Sequence, residues 1–148
     1  MEVPFAKTIF GNAEREAVRR VLRSNWLASG KENELFEKKF ARFFQSTYAI
    51  TCNSGSSANL LALASLDLKR GSKVLTSACG FPATLAPILH LGFEPILVDY
   101  NLSTHNIDLD TLRKELPNAS AVILAHTLGN PVEMDELIRE TNAQGIPV

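Results

Sequence analysis

At 148 residues, 45% of them hydrophobic, the chain can bury a sizeable core as one globular domain and is too short to promise two. A formal net charge of -1, an isoelectric point near 6.3 and the lack of any basic run leave no electrostatic footprint for nucleic acid or for an anionic membrane surface. The longest apolar stretch, ANLLALASL, falls short of a bilayer span. Two cysteines, Cys52 and Cys79, without paired spacing and without a leading apolar signal segment, point to a reducing cytoplasm in which both are buried thiols.

The front of the chain reads as helix. Asn12 is expected to cap a segment with Glu14 and Glu16 early, with Ala17, Val18, Val21 and Leu22 on one face, and with an end near Ser24. The loop NWLASG follows, then a second amphipathic helix on which Leu35, Phe36, Phe40 and Phe43 recur at helical spacing. Residues 1–45 thus form an N-terminal helical segment.

From Tyr48 the rhythm becomes strand, turn, helix: YAITC then SANLLALASL, KVLT then PATLAPILHL, EPILVD then Asp110 to Leu116, AVILAH then a helix through MDELIRE. Short apolar strands alternating with helices predict an α/β fold, a mostly parallel sheet between helices, over residues 46–148. After Asn142 and Gly145 stop the last helix, IPV opens what reads as another central strand. Three residues would leave a neighbour's ladder unpaired, so the sheet is expected to be truncated before it is complete.

In open α/β sheets ligands sit beyond the carboxyl ends of the strands, which directs attention to four loops. In Asn53-Ser54-Gly55-Ser56-Ser57, small hydroxyls and a glycine stand at a helix start, where free amides and the helix dipole favour an anion such as phosphate. A plain serine N-cap is the competing reading, and the stretch matches neither GxGxxG nor the Walker pattern. In TSACGFPATLAP, Phe81 precedes a proline at a helix start: it either stacks on a flat heteroaromatic ring or packs under its helix as a staple. Cys79 has no identifiable activating base. In VDYNLSTHNID, Asp99, His105, Asn106 and Asp108 lack metal-site spacing, and Asn106 or Asp108 makes a helix cap. In AHTLGNPVEMDEL, His126 either touches a ligand or closes its strand.

In this order the pieces resemble the DegT/DnrJ/StrS sugar aminotransferases, pyridoxal-phosphate enzymes of the aspartate-aminotransferase fold (fold type I) that act on nucleotide-linked keto sugars. The resemblance runs over nearly the whole chain through GNAEREAVRRVLRSNWLASGKENELFEKKFARFF, NSGSSANLLAL, ACGFPATLAPI, FEPILVDYNLSTHNIDLDTL and AHTLGNPVEMDEL. ACGFP and AHTLGNP look closest to the lipopolysaccharide branch that includes the CDP-4-keto-6-deoxyglucose 3-dehydrase. There pyridoxamine phosphate serves removal of a 3-hydroxyl, and His stands where aminotransferases keep the Schiff-base Lys.

The resemblance implies that Gly55 and Ser56 donate to the cofactor phosphate and that Phe81 stacks on the pyridine ring. Trp26 to Gly30 matches the substrate-side loop, usually Trp-Leu-Thr-x-Gly, with Ala28 in place of the threonine. His126, Gly129 and Asn130 match a strand-end segment near the cofactor. The acid that pairs with the pyridine nitrogen, the Lys or His that moves the proton, and the C-terminal small domain would all lie beyond Val148. A homodimeric, cytoplasmic parent enzyme of lipopolysaccharide or deoxysugar synthesis is implied, of which this stretch alone would be catalytically inactive. The alternative is a non-catalytic remnant or split-gene half that binds at most a phosphate-bearing ligand or a complementary chain.

Overall fold

The structure, a computed structural model, describes residues 7–148; residues 1–6 of the segment 1–45 lie outside the described residues. The chain divides into two compact units, Met1–Thr51 and Cys52–Val148.

The first unit holds α1 (Asn12–Arg23) and α2 (Lys31–Phe43). Gly11, not Asn12, is the N-cap of α1: its backbone is extended, and its amide donates to Glu14 Oε2 at 2.7 Å, closing the turn from the opposite side. Arg20 Nε donates to Glu32 at 3.0 Å and joins the two helices. The expected apolar stripes are present, yet Val18, Leu22, Leu35, Phe36, Phe40 and Phe43 all stay exposed, and only Ala41 of α2 is buried. Residues 48–52 form no strand, contrary to the reading of YAITC. The amide of Thr51 donates to Glu37 Oε1 at 2.8 Å, and its hydroxyl reaches Asn33 and Glu37, so α2 side chains take bonding that a ladder would have used.

The second unit runs α3 (Gly55–Ala64), β1 (Lys73–Ser77), α4 (Pro82–His90), β2 (Glu94–Val98), α5 (Leu109–Glu115), β3 (Ala121–Val122) and α6 (Met134–Ala143). The strands form a parallel sheet in the order β2-β1-β3. Alternation along β1 sends its side chains to two cores. Val74, in register with Ala121, packs with Leu63, Ile88 and Phe93 on the α3/α4 side, while Leu75, in register with Val122, packs with Leu112, Leu116 and Leu137 on the α5/α6 side. The α/β expectation is met, with helices on both faces. AVILAH contributes two ladder residues, though Ile123 N still reaches Leu75 O at 2.9 Å; IPV is not a strand, but Val122 N donates to Pro147 O at 2.9 Å and Ile146 is buried. No helix among the described residues is long and apolar enough to cross a membrane.

One contact aligns the two helices that start beyond the sheet. Pro87 sits inside α4 and has no N–H, so the carbonyl four residues earlier, Ala83 O, lacks its helical donor. Asn59 Nδ2, from the second turn of α3, donates to that oxygen at 3.0 Å. Further along both helices Leu63 and Ile88 share one core, so α3 and α4 run side by side with their N-termini at the same end.

On the other face, Arg113 of α5 pairs with Glu140 at 3.0 Å and Glu136 at 2.9 Å, both on α6. Asp108 caps α5 as expected, its Oδ1 accepting from the Thr111 amide at 2.8 Å. Hydrogen bonding from the Thr111 side chain, then from its backbone, holds the Asp108 carboxyl below the ordinary carboxylate range.

Two outcomes follow for stability. Asn59→Ala orphans the Ala83 carbonyl and is expected to cost about 1–3 kcal/mol in urea unfolding; in a Pro87→Ala background, where residue 87 regains its N–H, the same change costs less. The depressed Asp108 pKa stabilises the fold above the unfolded-state value of ~3.9, and this is lost as pH falls through the folded value. Asp108→Asn, which still caps but does not titrate, therefore narrows the gap between midpoints measured at pH 6 and at acid pH.

Candidate functional site

The first turn of α3 is held by hydrogen bonds among its own side chains and backbone. Ser54 Oγ accepts from the Ser57 amide at 3.2 Å, and Ala58 N reaches Ser54 O at 3.0 Å. Ser57 Oγ donates to Asn53 Oδ1 at 2.6 Å. These bonds satisfy the third and fourth amides of the turn and leave those of Gly55 and Ser56 without a protein acceptor among the described residues. A Cβ placed on Gly55 would meet nothing within 4 Å, so neither packing nor a left-handed backbone requires glycine there. Two amides without a protein acceptor among the described residues thus stand at the positive end of a ten-residue helix, where the dipole favours negative charge.

Phe81 is the N-cap of α4 and is 79% exposed, so it is not a staple under its helix. It lines a cleft of about 400 Å³ with Cys79, Leu97, Leu124, Ala125 and His126, floored by buried Thr76. Phe81 and the Gly55–Ser56 amides therefore stand at the heads of two adjacent helices, tied by Asn59 and Ala83. Cys52 and Cys79 are exposed, against the expectation of buried thiols: each lies in the loop ahead of a helix, not in a strand or a helix interior. Ser77 Oγ donates to Cys79 O at 2.8 Å and fixes that loop.

The third and fourth loops lock together. Asn106 is 4% exposed and does not cap α5; its Nδ2 donates to Asn130 O at 3.0 Å and Pro131 O at 3.3 Å, and its Oδ1 accepts from Thr127 N at 2.9 Å. That clamp holds residues 126–132, which include Leu128 at φ 54° and Gly129 at φ 81°. Non-glycine residues rarely adopt a left-handed backbone unless the surroundings impose it. His126 Nδ1 accepts from Val132 N at 3.1 Å, so the side chain both closes the turn and lines the cleft. Asp99 Oδ1 binds the next amide, Tyr100 N, and His105 stacks near Tyr100; neither joins the cleft.

In the first unit, Trp26 is 62% exposed and borders a separate cleft of about 780 Å³ with Arg20, Ser29 and Lys31. Its Nε1 donates to Ser29 O at 3.1 Å, and a Cβ on Gly30 would stand 2.8 Å from that nitrogen. Any larger residue at position 30 would have to displace the indole from this position.

The sequence matches the DegT/DnrJ/EryC1/StrS aminotransferase family over residues 9–148. It is 37% identical to the lipopolysaccharide biosynthesis protein RfbH of Salmonella typhimurium, covering 93% of this chain and 33% of RfbH. It is 43% identical to the dTDP-4-dehydro-2,6-dideoxy-D-glucose 3-dehydratase of Saccharopolyspora spinosa, covering 75% and 26%. Among solved structures, the E. coli GDP-4-keto-6-deoxy-D-mannose-3-dehydratase with bound hydrated PLP superposes with a TM-score of 0.92 at 30% identity, over 98% of this chain and 39% of that one. The fold is that of fold-type I pyridoxal-phosphate enzymes, and the chain spans about a third of the length of the relatives it matches.

Removing the Asn106 clamp is expected to free the 126–132 turn: Asn106→Ala should cost about 1–3 kcal/mol and accelerate amide exchange at Thr127 and Val132 in hydrogen-exchange NMR. Unchanged exchange there would show that the turn holds itself.

Proposed function

We infer that this chain, which belongs to the DegT/DnrJ/EryC1/StrS aminotransferase family, forms the cofactor-holding part of an enzyme that modifies nucleotide-linked keto-deoxy sugars by 3-dehydration or transamination. Lipopolysaccharide or deoxysugar synthesis is the setting that the named functions of RfbH and the 3-dehydratases support, and the cytoplasm is the compartment assigned to it in this reading. The observation that carries the reading is the pairing, at the heads of α3 and α4, of two free amides with an exposed aromatic ring.

The residues fit pyridoxal or pyridoxamine phosphate. The amides of Gly55 and Ser56 hold the phosphate, with the space left by the missing Gly55 Cβ admitting its close approach. Phe81 lies against the pyridine face, where offset stacking adds about 0.5–1.5 kcal/mol. Trp26 serves the substrate side. When bound, the cofactor supplies an electron sink for chemistry beside the sugar carbonyl. Holding and orienting it is what these residues do. The proton-transferring Lys or His and the pyridine-pairing acid are assigned to the two thirds of the relatives' length that this chain does not span, and the full enzyme is a homodimer.

The test is a titration of the chain with pyridoxal phosphate and, separately, inorganic phosphate. Gly55→Glu adds a side chain where there is room, so its melting temperature is expected to match wild type while both affinities fall at least about tenfold through exclusion and charge repulsion. Phe81→Ala is expected to weaken pyridoxal phosphate by about 3–10-fold and leave inorganic phosphate untouched. Wild-type affinity in both variants would overturn the assignment.

A further inference from the structure

Cofactor binding as described above engages two helix heads with one molecule: the Gly55 and Ser56 amides on α3 and the Phe81 ring on α4. How far apart those groups stand depends on how the two helices are offset along their axes. Among the described residues one hydrogen bond joins the helices, from Asn59 Nδ2 to Ala83 O at 3.0 Å. It falls close to both groups. Asn59 follows Gly55 by four residues, about 6 Å of helix rise, and Ala83 follows Phe81 by two. The apolar packing lies farther back, at Leu63 and Ile88, and such contacts tolerate small axial slides. Pro87 is buried and supplies no N–H, so no helical donor at that position competes with Asn59 for the Ala83 oxygen. The tie is directional, near the cleft, and made by a side chain that the binding site has not otherwise used.

We propose that Asn59 is a positioning residue for cofactor binding, which through Ala83 O sets the separation at which one molecule engages both the α3 amides and the Phe81 ring. The inference rests on the reading above that α3 takes the phosphate and Phe81 takes the ring face. Phosphate and ring are joined by a short covalent link, so engaging both requires the two heads at one offset. Binding energy is lost when the heads must first be brought into line. In this role Asn59 acts through the register of the helices and needs no contact with the ligand. A ligand that uses the α3 head alone, such as inorganic phosphate, is indifferent to that register.

Stability and positioning come apart in a Pro87→Ala background. There residue 87 regains its N–H, and Ala83 O, with its two lone pairs, accepts from both that amide and Asn59. Removing Asn59 in that background leaves the carbonyl satisfied within α4 but the helices untied. For the full chain, Asn59→Ala/Pro87→Ala is expected to melt within about 2 °C of Pro87→Ala. It is expected to bind pyridoxal phosphate about tenfold more weakly than Pro87→Ala does, with equal affinity for inorganic phosphate. Asn59→Gln keeps a donor for Ala83 O but lengthens the tie by a methylene; it is expected to weaken pyridoxal phosphate by about threefold and leave inorganic phosphate unchanged. Equal pyridoxal phosphate affinity in Pro87→Ala and the double variant, wild-type affinity in folded Asn59→Gln, or a matching loss of inorganic phosphate would each overturn the positioning role while phosphate binding by α3 stands. Failure of the wild-type chain to bind inorganic phosphate, or undiminished binding of both ligands in Gly55→Glu, would overturn the α3 assignment and the positioning role with it.

Discussion

The missing N–H of Pro87 organises the site more than any residue that faces it. A proline inside α4 leaves Ala83 O without its donor, and an unpaired carbonyl near a packed interface is costly enough to select a partner from outside the helix. Asn59 is that partner, and because it sits early in α3 the bond fixes how far the two helices slide past each other. Apolar contact between Leu63 and Ile88 resists separation of the helices but defines their axial offset only loosely. A polar bond of defined length does define it. The spacing between the free amides at the head of α3 and the Phe81 ring therefore depends on a backbone vacancy on one helix and a side-chain amide on the other.

A second constraint works from the opposite edge of the cleft. Leu128 and Gly129 bend the chain through left-handed conformations six and seven residues after β3 ends, a geometry that Asn106 makes tenable by bonding three backbone groups at once. Buried polar groups that satisfy several partners give rigidity that apolar packing lacks. One side of the cleft is thus aligned by helix register and the other by a side-chain clamp, and both lie beyond the carboxyl ends of parallel strands, where such sheets leave room for ligands.

Much of this was legible in the letters. Val74-Leu75 and Ala121-Val122 read as strand because buried parallel strands need apolar residues on both faces, and Asp108 read as a cap because its carboxylate reaches an amide three residues on. YAITC misled because its apolar letters carry the strand pattern, while the fate of its backbone bonds rests with Glu37 and Asn33 on another helix. The cysteines misled for a similar reason: a thiol's burial follows its element, and both fell in loops. Phe81 carried two readings that only exposure separates. Asn59 drew no notice in the sequence, although Pro87 four residues after Ala83 marked an acceptor in need of a donor. Asn106 drew notice for the wrong role, since clamping loops distant in sequence leaves no local pattern.

The wiring of the sheet also bears on the order in which the molecule assembles. β1 reaches β2 across a single helix, α4, which packs back on both, whereas β3 arrives only after a longer excursion through α5 and contributes a short ladder. Chain-closure entropy favours the shorter crossover as the nucleus and leaves β3 to dock late. The Phe81 loop is carried by the shorter crossover, between β1 and β2, while the His126 side of the cleft follows the strand reached by the longer one. The cleft therefore joins a wall built on a short crossover to one built on a long crossover and a two-residue ladder, the wall with fewer ladder bonds to hold it.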